Sequence, residues 1–571
     1  FSIGSATRAR PPPPGSGMGR PARRPRPRGG LAAAVGRPLL GTGALVASVL
    51  IGRRMSGHQA MSGRAQAGEP PPAFVGSRRH LPGGLDAGGR PSGSQRWSGE
   101  AGGGGADAGD LSAAVASANA AWEEDRHARA IQLYVKVLEA AGAAGDAPGS
   151  LDRREHLQCH ANLGSSYMAL AAERDPPGAA PDVERRAALL EASLRHWRVA
   201  ERNGPGSPVL SYFLSSVSRD LGLASEAVRL AREELGGTAA TPQGRGLEVE
   251  PVERRAASEL TYEEFVARYL QPGVPVVITG SPAPSWNLDL LEELCGDVEV
   301  PRLRHEPATA GDGWAALGAA ERATLGQHLR GLREAAAAGD PAAPMLFDHA
   351  IAEVCPQLLE GLVVPRYFAV DYLRAIPREE REGIWPAPER FPSLFVQPPG
   401  TRCGLHVDQA GTHFYQMLLS GKKRWRVFSR EDVPRLYPRG NGLLFEADAF
   451  EPDLDRFPLL GTARFREAVL EPGDAIFVPQ GAPHQVRNEE LSLAISSNYV
   501  AGAGLDVAFA ELELLAQGGY RPEYARAAEA LRKWAPAPGA QLQREDPGDL
   551  PWRDFDAAAW LAGDGGAATD G

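Results

Sequence analysis

Between Leu394 and Val500 the chain is divided into short apolar runs separated by turn-forming residues, a pattern that excludes long helices and predicts β-structure. Leu394-Phe395-Val396-Gln397 ends at Pro398-Pro399-Gly400. Phe414 to Leu419 is followed by Ser420-Gly421 and a second run from Lys422 to Phe428, which reads as a hairpin. Glu471-Pro472-Gly473-Asp474 is a turn that introduces Ala475 to Val478, and Leu491 to Val500 reads as a further strand. Many short strands joined by turns predict a jelly-roll or double-stranded β-helix barrel.

Three side chains in this segment have the chemistry of a metal site. His406 and Asp408 are spaced i, i+2, so on an extended segment they project to one side, and His484 must come from another strand. Two imidazoles and one carboxylate hold iron(II) on one face and leave the opposite positions open. A His-x-Asp triplet also recurs by chance, so a metal-free or non-catalytic barrel is the competing reading. Ser496 and Asn498 are likewise i, i+2 and share a strand face, which could look into the barrel or out to solvent.

The run from Pro398-Pro399-Gly400-Thr401 through Gly404-Leu405-His406-Val407-Asp408, with Gly411-Thr412 and Gly421-Lys422-Lys423-Arg424-Trp425, resembles the jumonji C family within the cupin superfamily. The resemblance extends to its small protein-hydroxylase branch, especially the jumonji-domain lysyl hydroxylase. Pro472-Gly473-Asp474, Phe477-Val478-Pro479 and His484 continue the likeness, as do Tyr262-Glu263-Glu264-Phe265 and Pro275 to Gly280 upstream, so it spans roughly Val249 to Gly504. The resemblance implies a cupin barrel, an Fe(II) cofactor and 2-oxoglutarate as co-substrate. It places the iron ligands on His406, Asp408 and His484, and 2-oxoglutarate contacts on Lys423, Ser496 and Asn498. Cys403 stands where the family often has Thr and Gln416 where it often has Asn, which leaves their contacts to the co-substrate open. The implied reaction is hydroxylation of a C–H bond on a protein or peptide substrate. Oxidation of an N-methyl carbon would instead make the protein a lysine or arginine demethylase. An Asp in the dyad leans toward hydroxylation. No zinc-finger or chromatin-reader signature supports the demethylase.

Residues from about Leu111 to 245 have Ala- and Leu-rich helical periodicity. Ala130, Tyr134 and Val137 follow at helical intervals, and Leu163-Gly164 with Tyr167, then Trp197, Ala200 and Pro205, match a tetratricopeptide-like pair. Leu210 to Leu235 reads as a third pair joined at Leu221-Gly222. Such a module could recruit a protein partner, or pair the protein with itself. Within the barrel domain, Thr261-x-x-Glu264 reads as a capping box, and helices are expected around Leu288 to Leu294 and Ala319 to Ala338. From Leu505 the chain returns to amphipathic helices, which in related hydroxylases often make dimer contacts, or which cover the barrel's own edge. The organisation is therefore α+β and multidomain: 1–110, 111–245, 249–504 and 505–571.

Gly (67) and Pro (49) make about a fifth of the 571 residues, against roughly an eighth in average usage, with much of the excess in the first hundred residues. No acidic residue precedes Glu69, and Leu39 to Gly52 is an apolar run between Arg37 and Arg53-Arg54. Its length suits a signal-peptide core and its flanks an organellar transit peptide. A translation extended past its natural start accounts for it equally well, leaving localisation open. Glu69 to Asp110 reads as a linker. The net charge of −10 does not favour nucleic acid as a main partner. Cys159, Cys295, Cys355 and Cys403 show no Cys-x-x-Cys spacing, and their scatter suggests neither a zinc site nor a disulfide framework.

Among 61 basic residues only Lys136, Lys422, Lys423 and Lys533 are lysine. An arginine-rich chain has kept an ammonium where a confined carboxylate would need one. Strand alternation separates the adjacent pair: Lys423 shares its phase with Trp425 and Val427, and Lys422 with Arg424 and Arg426. Lys423→Ala is therefore expected to weaken 2-oxoglutarate binding by about 3 kcal/mol or more, and Lys422→Ala to stay within about half a kcal/mol. The apparent KM for 2-oxoglutarate in the two variants decides between the faces, and a larger effect at Lys422 would shift the register by one.

Overall fold

A computed structural model describes residues 108–552 except 145–150, 177, 237–246, 307–315, 382, 385, 387, 440–441, 518–521 and 536–545. The targeting and linker readings of the N-terminal segment, and the tail past 552, lie outside the described residues. No helix among the described residues is long and apolar enough to cross a membrane.

Five helices come first: α1 (Ala108–Glu123), α2 (His127–Ala144), α3 (Arg153–Ala172), α4 (Val183–Asn203) and α5 (Pro208–Glu234), each packed on the next. α3 starts at a full capping box, in which Asp152 accepts from the Glu155 amide at 2.7 Å and Glu155 accepts from the Asp152 amide at 2.9 Å. The periodic residues read from the sequence, Tyr134, Leu163, Tyr167 and Trp197, are buried in one apolar core, where Trp197 stacks on Phe213 at 4.5 Å between ring centres.

α5 departs from expectation, because it is one continuous helix through Leu221-Gly222 rather than a pair. A mid-helix glycine costs only about 1 kcal/mol, and burial outweighs it at both ends. Tyr212, Phe213 and Val217 belong to the helical core, whereas Ala227 and Leu230 pack with Leu405, Phe428 and Leu436 of the following domain. Ion pairs add to this junction: Arg219 meets Glu511 with both nitrogens at 2.8 Å, and Arg435 meets Glu234 at 2.6 Å.

Among its described residues the following domain holds two sheets of more than two strands. The larger contains β2 (Glu253–Ala256), β3 (Val276–Thr279), β6 (Leu346–Ala350), β7 (Ser393–Gln397), β8 (His413–Ser420), β11 (Asp474–Val478) and β13 (Ser492–Tyr499), in the order β2-β3-β11-β8-β13-β7-β6. The smaller contains β1 (Glu248–Pro251), β9 (Lys423–Phe428), β10 (Arg464–Leu470) and β12 (His484–Asn488), in the order β1-β10-β9-β12. β4 (Glu299–His305) and β5 (Leu317–Thr324) form a separate antiparallel pair. The β1–β10 and β2–β3 pairs are parallel and the remaining pairs antiparallel.

Strict alternation divides the strands between two cores. Phe395, Phe414, Leu418, Ile476, Val478 and Ala494 of the larger sheet share a core with Trp425, Val427, Ala468 and Leu470 of the smaller one. The intervening Leu394, Tyr415, Met417, Phe477 and Ile495 point to the other face, where the short helix α6 (Tyr262–Phe265) and the helices around it cover the sheet. The result is a mixed α+β domain with two sheets packed on one interior.

Four readings of this domain need correction. Phe414 to Leu419 and Lys422 to Phe428 are not a hairpin, since β8 pairs with β11 and β13, while β9 pairs with β10 and β12 in the other sheet. The turn between them carries the chain across the interior rather than back along it. Residues 319–324 are strand, because pairing with β4 overrides the helical preference of an Ala-rich run, and helix α8 (Leu325–Ala338) begins at a Thr324/Gln327 capping box. The Thr261 box is half-formed: Thr261 accepts from the Glu264 amide, but the Glu264 carboxylate is taken by Arg255 and Arg268. Finally, Cys295, at the end of helix α7 (Leu288–Cys295), forms a disulfide with Cys355, with Cα atoms 5.6 Å apart across 60 residues of sequence. Spacing in sequence carries no information about such an encounter.

The C-terminal helices α9 (Leu505–Gln517) and α10 (Pro522–Trp534) bury Leu512, Tyr524 and Leu531 against Val370, Leu373 and Ala410 of their own chain.

The crossing between the sheets rests on Gly421, whose φ is +82° and whose absent Cβ would meet the Leu491 carbonyl and stand 2.7 Å from Ser492 Cα. Gly473 also has a positive φ, +91°, with open space around it. Gly473→Ala should cost about 1–2 kcal/mol of left-handed strain. Gly421→Ala adds a backbone clash and should lose roughly 1–3 kcal/mol more. Denaturant unfolding of both variants measures the difference, and equal losses would mean that the crossing tolerates a side chain.

Candidate metal centre and co-substrate pocket

His406 and Asp408 lie on the loop that leads from β7 into β8, and His484 opens β12. The two histidines pair directly through the main chain: His406 N donates to His484 O at 3.1 Å and His484 N donates to His406 O at 2.8 Å. This reciprocal bridge puts both side chains on one side at close range, with ring centres 4.4 Å apart. Ligand atoms of His406, Asp408 and His484 all fall within 4.8 Å of one another, and His406 Nε2 is 3.9 Å from Asp408 Oδ1.

The outer nitrogens of the rings are engaged elsewhere. His406 Nδ1 is 2.9 Å from Gly404 O and His484 Nδ1 is 3.0 Å from Ala482 O. Because a carbonyl only accepts, each Nδ1 carries the proton and each Nε2 keeps its lone pair, which is the tautomer a metal ligand needs. Burial, reinforced by the neighbouring His484, holds the pKa of His406 well below its usual range, against the opposing bond to Gly404. Burial also raises the pKa of Asp408; His484 and a hydrogen bond from Asn498 act against the rise, while nearby Asp348 adds to it. A dication among these groups would offset the penalty on the Asp408 carboxylate and bind the neutral imidazole that burial favours at His406, so the donor set fits a metal such as iron(II).

The pocket beside the triad lies between the sheets. Its walls include Phe395, Gln397 and Gln416 from the larger sheet, Lys423 and Trp425 from the smaller, and Asp348 from the middle of β6. Lys423 is 1% exposed, its ammonium bonds to Gln397 Oε1, and it stands 5.8 Å from the Phe395 ring centre. Among the described residues no carboxylate pairs with it. Burial pushes its pKa down to about 7, with Cys403 opposing weakly. An ammonium held in this way gains most from an incoming carboxylate, so the pocket also fits an acid such as 2-oxoglutarate. Lys422 lies at the surface, 3.6 Å from Glu490. Arg424 and Arg426 face outward with it, on Glu467 and Glu489.

The other residues named from sequence divide into two groups. Asn498, Gln416 and Cys403 line the pocket. Asn498 Nδ2 donates to Thr412 Oγ1 at 2.9 Å, Gln416 Oε1 is buried without a hydrogen-bond partner, and Cys403 Sγ is 4.0 Å from His406 Nδ1. Ser496 shares the inner face, between Gln416 and Ser393 across the sheet, but stands behind the wall. Its hydroxyl is 3.4 Å from Ser393 Oγ, which donates to Asp348 at 2.7 Å. Sequence reasoning missed Asp348, Gln397 and Phe347. The phase of Gln397 with Phe395 was available as a signal. Asp348, which sits at φ +58°, comes from a strand remote in sequence and gave none.

Residues 262–503 match the family described as "Cupin-like domain". The chain is similar to "Arginine-specific demethylase JMJ22" of Arabidopsis thaliana, 26% identical over 269 residues, covering 43% of this chain and 46% of that protein. It is similar to "Lysine-specific demethylase 8" of Danio rerio, 27% identical over 244 residues, covering 41% of this chain and 55% of the relative. The chain thus spans about half the length of each. "Lysine-specific demethylase JMJ30" of Arabidopsis thaliana aligns at 26% identity over 421 residues, 68% of this chain and 86% of its own length. That alignment is longer than the matched domain, so the likeness extends into the flanking segments. With their paired sheets, His-Asp-His cluster and buried lysine, residues 262–503 are a cupin-like domain of the jumonji C type.

Proposed function

We propose that this protein is an iron(II)- and 2-oxoglutarate-dependent oxygenase that oxidises a C–H bond on a protein or peptide substrate. The observation that carries the proposal is a buried ammonium, paired with no carboxylate among the described residues, in the same pocket as a two-histidine, one-carboxylate cluster. Iron(II) and 2-oxoglutarate supply oxidation of C–H by dioxygen, with the keto acid leaving as succinate and CO₂. The residues of this chain set the conditions: His406, Asp408 and His484 would hold the metal, and Lys423 would pair with the distal carboxylate. Asn498 holds the Asp408 carboxylate in place, while Gln416 and Cys403 would face the co-substrate. Phe395 and Trp425 exclude water, which strengthens each of these charge interactions.

We take the two sheets as a double-stranded β-helix barrel and α1 to α5 as tetratricopeptide-like pairs. Burial of Leu163, Tyr167, Trp197 and Ala200 at the repeat positions supports the second assignment. The helical pairs are the proposed seat for a protein partner. Homodimerisation through α9 and α10 is a weaker proposal, since their largest apolar side chains are already buried on their own chain.

The product depends on the carbon attacked. A carbon in a side-chain chain or ring keeps the hydroxyl, whereas an N-methyl carbon becomes a hemiaminal that loses formaldehyde. The aspartate in the dyad favours protein hydroxylation, and the relatives' names favour lysine or arginine demethylation. A non-catalytic binding barrel is disfavoured because the triad and Lys423 are all present. Mass spectrometry of candidate peptides incubated with iron(II) and 2-oxoglutarate separates these readings: a gain of one oxygen, a loss of one methyl, or no change.

His406→Ala or Asp408→Ala should abolish iron-dependent succinate formation while changing folding stability by no more than about 1 kcal/mol. Chelation of the parent protein should have the same effect, and added iron(II) should restore activity. Unchanged succinate formation in both variants would remove the assignment.

A further inference from the structure

Three of the 12 histidines meet on the helical module, far in sequence from the metal triad. His156 and His160 are i, i+4 on α3, an arrangement that places two imidazoles on one helix face. His196 projects from the adjacent α4. The ring centres of His156 and His160 are 6.5 Å apart and those of His160 and His196 are 5.2 Å apart; Tyr167 stacks under His196 at 5.6 Å. His160 Nδ1 and His196 Nδ1 approach to 2.9 Å. All three residues are half-buried, so an ion can reach them from solvent.

We propose that His156, His160 and His196 form a second transition-metal site, a three-imidazole site for Zn²⁺ that ties α3 to α4. Two nitrogens on a tetrahedral zinc ion stand roughly 3.3 Å apart, given Zn–N bonds of about 2.0–2.1 Å. The His160/His196 pair is therefore already near ligating separation and needs only a small ring rotation. His156 reaches the same point by a side-chain rotation within its helical turn, and solvent can fill the fourth position. Burial, then the neighbouring histidine, holds His160 and His196 down at about 4, so both are neutral at pH 7 and offer lone pairs. Arg195 and Arg202 are the cations whose charge acts on His196 and His160, and they weaken the site without filling it. Imidazole donors without thiolate select zinc, copper or nickel over magnesium and calcium.

The test is a titration of the metal-free full chain with Zn²⁺ alone, followed by calorimetry, with the thermal midpoint recorded at each step. The parent protein should bind two equivalents. The His406→Ala/His484→Ala double variant should bind one, and that equivalent should still raise the unfolding temperature. In that background His160→Ala should weaken the remaining binding by more than about tenfold, since loss of a ligand exceeds the cost of losing an outer-shell partner. On its own, His160→Ala should leave iron-dependent turnover unchanged. His156 lies in the first turn of α3, next to its N-terminus, so His156→Ala gives the same test if His160→Ala fails to fold. The proposal is overturned if the triad-less protein binds no zinc, or if it binds zinc equally well with and without His156.

Discussion

The structure depends on keeping a charged, hydrated chemistry inside a packed interior. Two sheets bury their inner faces on each other, yet those faces must present two imidazoles, a carboxylate and an ammonium in one small pocket. Each would be costly to bury alone. They are tolerable because main-chain carbonyls hold the imidazoles, Gln397 the ammonium and Asn498 the carboxylate, and because opposite charges from solution can complete the set. The His406/His484 bridge is central to this, since it joins a loop to a strand through the backbone and thereby fixes the points from which the two ligating side chains project.

Much of the site was legible because strand chemistry has a period of two. The phase that put Lys423 with Trp425 and Val427 needed nothing beyond alternation, and the buried and exposed faces of β9 follow it. What alternation cannot give is the partner of a strand. Ser420-Gly421 looks like a hairpin turn in sequence, and only the packing shows that the chain crosses to the opposite sheet there. Asp348 was invisible for the same reason: it enters the pocket from β6, whose neighbour β7 lies more than 40 residues downstream. Ser496 shows the converse limit, since sharing a face with the pocket residues did not place it at the surface of the pocket.

Local helix signals met a similar boundary. The Asp152 box is complete because the Glu155 carboxylate turns back onto the Asp152 amide, whereas Glu264 is drawn away by two arginines. The Ala-rich stretch before Thr324 has the composition of a helix but becomes a strand once β4 offers it a ladder. In each case a tertiary partner outweighed a preference worth a fraction of a kcal/mol per residue.

α5 is committed at both ends, its first half to the helical core and its second to residues next to the metal loop, including Leu405. A straight helix of 27 residues is about 40 Å long and turns by about 100° per residue. Adding or removing one residue anywhere along it would rotate one apolar face away from its partner by that angle, and no side-chain adjustment could restore both. The two halves of the protein are therefore locked in rotational phase by counting alone. Variation in length can collect in the loop between α3 and α4 but not within this helix.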